Sequence, residues 1–170
     1  MLQLRALEIE DLELLYQVEN DRTLWNVATT NVPYSRQILR DFILNTTGDI
    51  YTDKQLRLMI DQVAEDGHHT CVGMVDLIDF NPQHRRAEVG ITILAEYRKQ
   101  GYAQEALKQL IAYCKQTLHM HQLYAIVAED HPECVHLFRT LHFQATGQLR
   151  DWLYDGSNYK NALLMQHVIT

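Results

Sequence analysis

AEVGITILAEYRKQGYAQEALKQLIAYC, residues Ala87 to Cys114, places a strand, a glycine turn and a helix in immediate succession. Val89, Ile91 and Ile93 alternate with Gly90 and Thr92 before Leu94, a β-branched run with little charge that predicts a largely buried strand. Ala103, Ala106, Leu107, Leu110, Ile111 and Cys114 then recur at steps of three and four, with Gln104, Glu105, Lys108 and Gln109 on the other face. Gly101 permits a backbone turn closed to other residues, and small Ala103 lets a ligand or neighbouring backbone approach the helix start. The first N–H groups of that helix lack partners within it and carry about half a positive charge, so the turn suits an anion. A phosphate-bearing ligand fits that chemistry.

The two commonest phosphate loops are absent: no G-x-x-x-x-G-K-S/T occurs, and no G-x-G-x-x-G follows a strand. Arg98-Lys99-Gln100-Gly101-Tyr102-Ala103 instead resembles the acyl-CoA pyrophosphate loop, Gln/Arg-x-x-Gly-x-Gly/Ala, of the GNAT N-acetyltransferases. The same residues also read as an ordinary strand-to-helix turn, and the loop alone leaves both readings open.

At 170 residues, 46% of them hydrophobic, the chain suffices for one compact domain, so residues 1–170 are read as a single unit. No window approaches the ~20 apolar residues of a membrane span, and Met1-Leu2-Gln3-Leu4-Arg5 is no basic region leading into an apolar core. No membrane partner and a cytoplasmic location are expected. Cys71, Cys114 and Cys134 are far apart and odd in number, which suits a reducing compartment without disulfides. The net charge of -7 disfavours a nucleic-acid partner and mildly favours cationic substrates.

Outward from the quoted stretch, Leu2, Leu4 and Ala6 predict a first strand, and Leu12, Leu15, Tyr16 and Glu19 a helix closed by Asn20-Asp21. Ser35 caps a second helix striped by Ile38, Leu39, Phe42 and Ile43. Leu56 to Ile60 and Thr70 to Ile78 form a hairpin across Glu65-Asp66-Gly67, ended by Asn81-Pro82. Leu123 to Val127 is a short buried strand, and Pro132 opens a helix carrying Val135, Leu137, Phe138 and Leu141. Phe143 to Leu149 and Asn161 to Val168 close the chain as a strand pair. Such an order calls for α/β packing, a mixed central sheet flanked by helices.

That order is also similar to the GNAT acyl-CoA N-acyltransferase fold, in which the central strand and the next parallel strand splay apart around pantetheine. Gly73-Met74-Val75-Asp76-Leu77, His84-Arg85-Arg86-Ala87-Glu88, Gly147-Gln148-Leu149 and Tyr159-Lys160-Asn161-Ala162 resemble the spermidine N-acetyltransferases and, more loosely, the transferases that acetylate ribosomal-protein N-termini. The likeness runs from about Leu4 to Val168. It implies acetyl-CoA as co-substrate, with coenzyme contacts at Ile91, Thr92, Ile93, Arg98, Lys99, Gln100, Gly101, Tyr102, Ala103, Gln104, His131 and Arg139. It also implies a small-molecule amine acceptor and a homo-oligomer, since the spermidine enzymes form rings and their N-terminal relatives dimers.

Direct transfer to an amine needs a proton acceptor, donors for the carbonyl oxygen and a means of releasing sulfur. Glu88 is the candidate base, with an ion pair to Arg85 or Arg86 as the equal alternative. The family pattern Asn-x-x-Ala/Ser-x-x-x-Tyr reads His131 to Phe138 here, so Phe138 stands at the tyrosine position and offers no proton; the following Gly-Phe pair reads His142-Phe143. Substitution by His131, Tyr102 or Tyr154, departure as thiolate, and binding without turnover all remain open, and departure as thiolate is favoured because a thiol pKa near ~8.5 needs little help.

The acidic pair that precedes Pro-Tyr in spermidine acetyltransferases is Asn31-Val32 here, which puts polyamine control at that site in doubt. Asp76, Asp79 and Glu88 remain for a cationic acceptor, although solvated strand edge and turn explain the two aspartates equally well. Trp25, Trp152 and Tyr154 line an acceptor pocket or belong to the core. His119-Met120-His121 alternates at strand spacing and His68-His69 lies at a turn, but no ligand spacing supports a metal, so none is expected. Cys134 reads as a small half-buried filler rather than a nucleophile. The leading expectation is an acetyl-CoA-dependent N-acetyltransferase for a polyamine-like primary amine; the alternatives are a protein N-terminal acetyltransferase and a CoA-binding module with little or no turnover.

Overall fold

The structure, a computed structural model, describes residues 1–25 and 32–170. In chain order its elements are β1 (Leu2–Ala6), α1 (Leu12–Glu19), α2 (Arg36–Asn45), α3 (Ile50–Asp53), β2 (Leu56–Val63), β3 (His69–Asn81), β4 (Arg86–Ile93), α4 (Tyr102–Gln116), β5 (Gln122–Ala128), α5 (Pro132–Thr140), β6 (Gln144–Tyr154) and β7 (Tyr159–Val168). The strands form one mixed sheet in the order β1-β2-β3-β4-β5-β7-β6.

Strand alternation divides the apolar residues between two faces. On one, Ala87, Val89, Leu123, Ala125 and Val127 pack with Ala106, Leu107 and Leu110 of α4 and with Val135 and Phe138 of α5. On the other, Met59 of β2 and Met74 of β3 pack against Leu15 of α1 and Leu39 and Ile43 of α2. Full burial of one such leucine contributes about 1.5–3 kcal/mol. The Ser35 hydroxyl caps α2 by accepting from the Ile38 N–H at 3.2 Å.

β4 and β5 run parallel but pair over only three residues, Arg86 with Gln122, Ala87 with Leu123 and Glu88 with Tyr124. Both strands continue, β4 hydrogen-bonded to β3 as far as Ile93 and β5 to β7 as far as Ala128. A wedge therefore opens between them, its vertex at Glu88 and Tyr124 and its mouth at the carboxyl ends of both strands. Gly73 keeps β3 tight against the far half of β4: a Cβ there would overlap the Thr92 carbonyl oxygen.

Several elements differ from expectation. The one-turn α3 is too short to show a period, and β6 runs to Tyr154 because a solvent-facing edge strand lacks the alternation that marks a half-buried one. His119-Met120-His121, despite its strand-like spacing, lies in the loop between α4 and β5, as befits loop histidines, with His119 in the left-handed region at φ 50°. Trp152 is not core; it is 55% exposed on β6. Asn31 lies outside the described residues. Beyond it, the Asn20 amide brackets Tyr34, donating to its carbonyl at 3.0 Å and accepting from its N–H at 2.7 Å.

Candidate active site

The turn between β4 and α4 stands at the mouth of the wedge. Gly101 precedes α4 with φ 84°, and no atom lies within 4 Å of where its Cβ would be. Glycine is favoured there by backbone conformation, which would strain a larger residue, and its surroundings leave open space. Lys99 is also left-handed, at φ 61°. The Arg98 guanidinium donates to the Ile93 carbonyl at 3.0 Å, and the Gln100 amide to the Glu96 carbonyl at 3.1 Å, so both side chains also shape the loop. Lys99 Nζ lies 3.5 Å from Glu133 Oε1 in the first turn of α5, which brings the loop and the start of α5 together.

On α5, the His131 imidazole accepts from the Cys134 N–H at 3.2 Å and so caps the helix, a role its sequence position did not announce. Phe138 is 3% exposed and meets Phe143 edge to face, ring centroids 5.0 Å apart. Arg139 is exposed in the last turn. Burial pushes the Cys134 thiol up, as it does those of Cys71 and Cys114, the last to about 12, so none is poised as a nucleophile. Among the described residues no group of three metal-ligating side chains occurs.

At the vertex, Glu88 points to the face opposite Ala87 and Val89. Burial, reinforced by the negative charge of Asp79, pushes its carboxyl above the ordinary glutamate range. Glu88 makes no ion pair with Arg85 or Arg86 or with any other described cation. Asp79 sits in a bulge, where β3 gains one residue on β4 between Ile78 and Asn81, and has φ 51°. Tyr124, across the vertex on β5, donates its hydroxyl to Asp79 Oδ2 at 2.8 Å. Sequence reasoning did not single out Tyr124, because an aromatic on a short buried strand carries no local functional signal.

Asp76 is neither strand edge nor free charge. β3 lies inside the sheet, and Arg57 holds both carboxylate oxygens of Asp76, at 2.6 and 3.0 Å, while reaching Glu19 at 2.7 Å. Trp25 joins this chain by donating its indole N–H to the Glu19 carbonyl at 3.1 Å. Asp76 lies directly across the β3–β4 ladder from Gly90. Tyr154 is separate: it packs against Tyr159, centroids 5.0 Å apart, on the β6 edge, with β5 and β7 between it and β4. The structure thus gathers Glu88, Asp79 and Tyr124 at the vertex, the Arg98 to Ala103 turn at the mouth, and leaves Tyr154 on the far edge.

A splayed parallel pair with an anion turn at its mouth and a partly buried carboxylate at its vertex is the layout of a group-transfer enzyme with an elongated anionic donor. Comparison with known proteins agrees. A family model described as the acetyltransferase (GNAT) domain matches residues 1–144. The spermidine N(1)-acetyltransferase of Escherichia coli is 29% identical over 162 residues, spanning 95% of this chain and 83% of that protein. The crystal structure of spermidine N-acetyltransferase from Vibrio cholerae in complex with CoA and spermine matches with TM-score 0.86 at 27% identity, over 99% of this chain and 95% of that one. A dodecameric structure of the Vibrio cholerae enzyme matches with TM-score 0.79 at 27% identity, over 98% and 93%. The chain belongs to the GNAT acetyltransferase family, and its seven-stranded sheet flanked by helices is the GNAT fold.

Proposed function

We propose that this N-acetyltransferase moves the acetyl group of acetyl-CoA to a primary amine of the spermidine and spermine class. The observation that carries this is the β4–β5 wedge, which ends on Glu88 in a chain similar to enzymes acting on spermidine. The turn from Arg98 to Ala103, with Gln104 in the first helical turn, is assigned to the pyrophosphate; His131 and Arg139 are assigned to the coenzyme from α5. The β5-facing backbone edge of Ile91 to Ile93 is assigned to the pantetheine and thioester. Glu88 accepts the amine proton, directly or through water, as nitrogen bonds to the carbonyl carbon and the carbon–sulfur bond breaks. The electron pair leaves on sulfur. Phe138 has no proton to offer, so the thiolate takes one from solvent.

Acceptor charge is met by Glu88 and Asp79, because Arg57 already compensates Asp76. Asp76 keeps a shaping role opposite Gly90, and Trp25 is assigned to the acceptor side through its bond to Glu19. Tyr154 drops out as an acceptor contact, since it faces Tyr159 on the far edge. We further propose one domain over residues 1–170, supported by the single continuous sheet, and self-association, supported by the dodecameric relative and by exposed Trp152, Tyr154 and Tyr159 on one hairpin. A cytoplasmic location belongs to the same proposal; among the described residues no helix is long and apolar enough to cross a membrane.

Thiol release from acetyl-CoA, measured against spermidine, spermine, diamines and short peptides beside calorimetric CoA binding, tests this. Turnover on the polyamines is expected. Turnover on peptides alone would shift the acceptor to protein N-termini, and tight CoA binding with no turnover would leave a binding module.

A further inference from the structure

Resting on the base role proposed for Glu88, we infer that Tyr124 is a positioning residue: its hydroxyl fixes the Asp79 carboxylate at the vertex and so holds a second negative charge against the reacting group. Three features of the backbone and side chains converge on this arrangement. In an unbroken strand, Asp79 would share a face with Leu77, which lies in the core beneath α4 and α5. The bulge between Ile78 and Asn81 supplies one extra residue, so Phe80 returns to the core while Asp79 is turned out. The left-handed backbone at Asp79, φ 51°, is uncommon outside glycine and is tolerated best by Asp and Asn. Tyr124 then anchors the redirected side chain at 2.8 Å from a residue 45 positions away in sequence.

Tyr124 is also the last residue of β5 paired to β4 before the wedge opens, directly opposite Glu88. Burial first, then the bond to Asp79 and the charges of Asp79 and Glu88, push its phenol up, so the hydroxyl stays a donor through the neutral range. Its proton is committed to Asp79 and is not offered to the leaving sulfur. The charged groups around the vertex are Asp79 from β3 and Glu88 and Arg86 from β4; β7 presents uncharged Gln166 opposite Tyr124. Burial is the larger cause of the raised Glu88 carboxyl, and within this set Asp79 is the charge that adds to it. Loosening Asp79 relieves that repulsion, so Glu88 titrates at lower pH and becomes a weaker base.

The test is carboxyl carbon NMR of the whole protein labelled at Glu and Asp side-chain carbonyls, with the Glu88 resonance assigned through Glu88→Gln. Tyr124→Phe keeps the half-buried ring and removes only the hydroxyl. It is expected to move the Glu88 midpoint to lower pH, in the same direction as Asp79→Asn, and the double variant is expected to move it no further than Asp79→Asn alone. The acid limb of kcat/KM for a polyamine should move with it, with circular dichroism unchanged. An unchanged Glu88 midpoint in Tyr124→Phe, or fully additive shifts in the double variant, would overturn the inference. The NMR arm needs no turnover, so a wild-type protein inactive on every amine would count against the proposed function and not against the coupling of Tyr124, Asp79 and Glu88.

Discussion

Phe138 carries a ring into the core at the position where the resemblance implies a tyrosine hydroxyl, and the difference is one of chemistry more than of packing. Its ring is buried against Phe143, so the position serves the core whether or not it serves the reaction. Where an acid is indispensable it is worth roughly 10²–10⁴-fold, but a thiol of pKa ~8.5 leaves largely unaided. Phe138→Tyr is therefore expected to raise kcat by less than about tenfold in steady-state thiol release; a gain of about 10²-fold or more on an acceptor that the wild type turns over would count against the thiolate account. Glu88 gives the opposite experiment. Glu88→Gln should lower kcat by about 10²-fold or more while CoA affinity measured by calorimetry changes little. Its raised pKa has two consequences of opposite sign. The proposed base role needs the carboxylate, so activity is expected to fall as pH drops through the raised value, above the ~4.3 of an ordinary glutamate. Stability favours the neutral acid, fully so below the ordinary value, and is lost as pH rises through the raised one. Glu88→Gln should thus hold or raise Tm at neutral pH even as activity collapses.

At the scale of elements, the wedge and its turn depend on two glycines for different reasons. Gly101 has open space around it, so its restriction lies in φ and in the pyrophosphate proposed to sit against it. Gly101→Glu adds strain and places an anion against the helix start, and a loss of CoA affinity of about tenfold or more is expected by calorimetry; unchanged affinity would remove the pyrophosphate from this turn. Gly73 has no space at all, because its Cβ would meet the Thr92 carbonyl oxygen and the Ile93 backbone. Gly73→Ala should destabilise by roughly 1–3 kcal/mol in denaturant unfolding, as overpacking does, and should weaken CoA binding by displacing the free edge of β4. A variant as stable as the wild type would show that β3 and β4 can part at this point without cost.

Across the whole molecule, one cation ties the first strand to the rest. Arg5 reaches Asp11 at 2.8 Å and Asp61 at 2.7 Å, and His69 approaches the same Asp61 oxygen at 3.1 Å, joining β1, the start of α1, β2 and β3. Asp61 is only 2% exposed, so Arg5→Ala strands a buried carboxylate. A loss of about 3 kcal/mol is expected, equivalent to a fall in Tm of roughly 6–12 °C for a chain this long. Calorimetric unfolding checks it, and a Tm within a degree or two of wild type would mean that water or His69 compensates Asp61.

How much of this was legible depended on the range of the interaction. The sequence by itself determined the order of the strands and the longer helices, the capped start of α2 and the glycine turn ahead of α4, because each rests on period, cap or residue chemistry within a few positions; that Phe138 lacks a hydroxyl stood out only beside the pattern of the family it resembles. Tertiary structure alone decided that β4 and β5 part after Glu88, that a bulge turns Asp79 toward Tyr124, that Arg57 takes up the charge of Asp76, and that Tyr154 lies on the far edge. The reason is physical: those outcomes are set by pairings between residues tens of positions apart, whose register follows from packing both faces of the sheet at once and leaves no periodic trace in either partner.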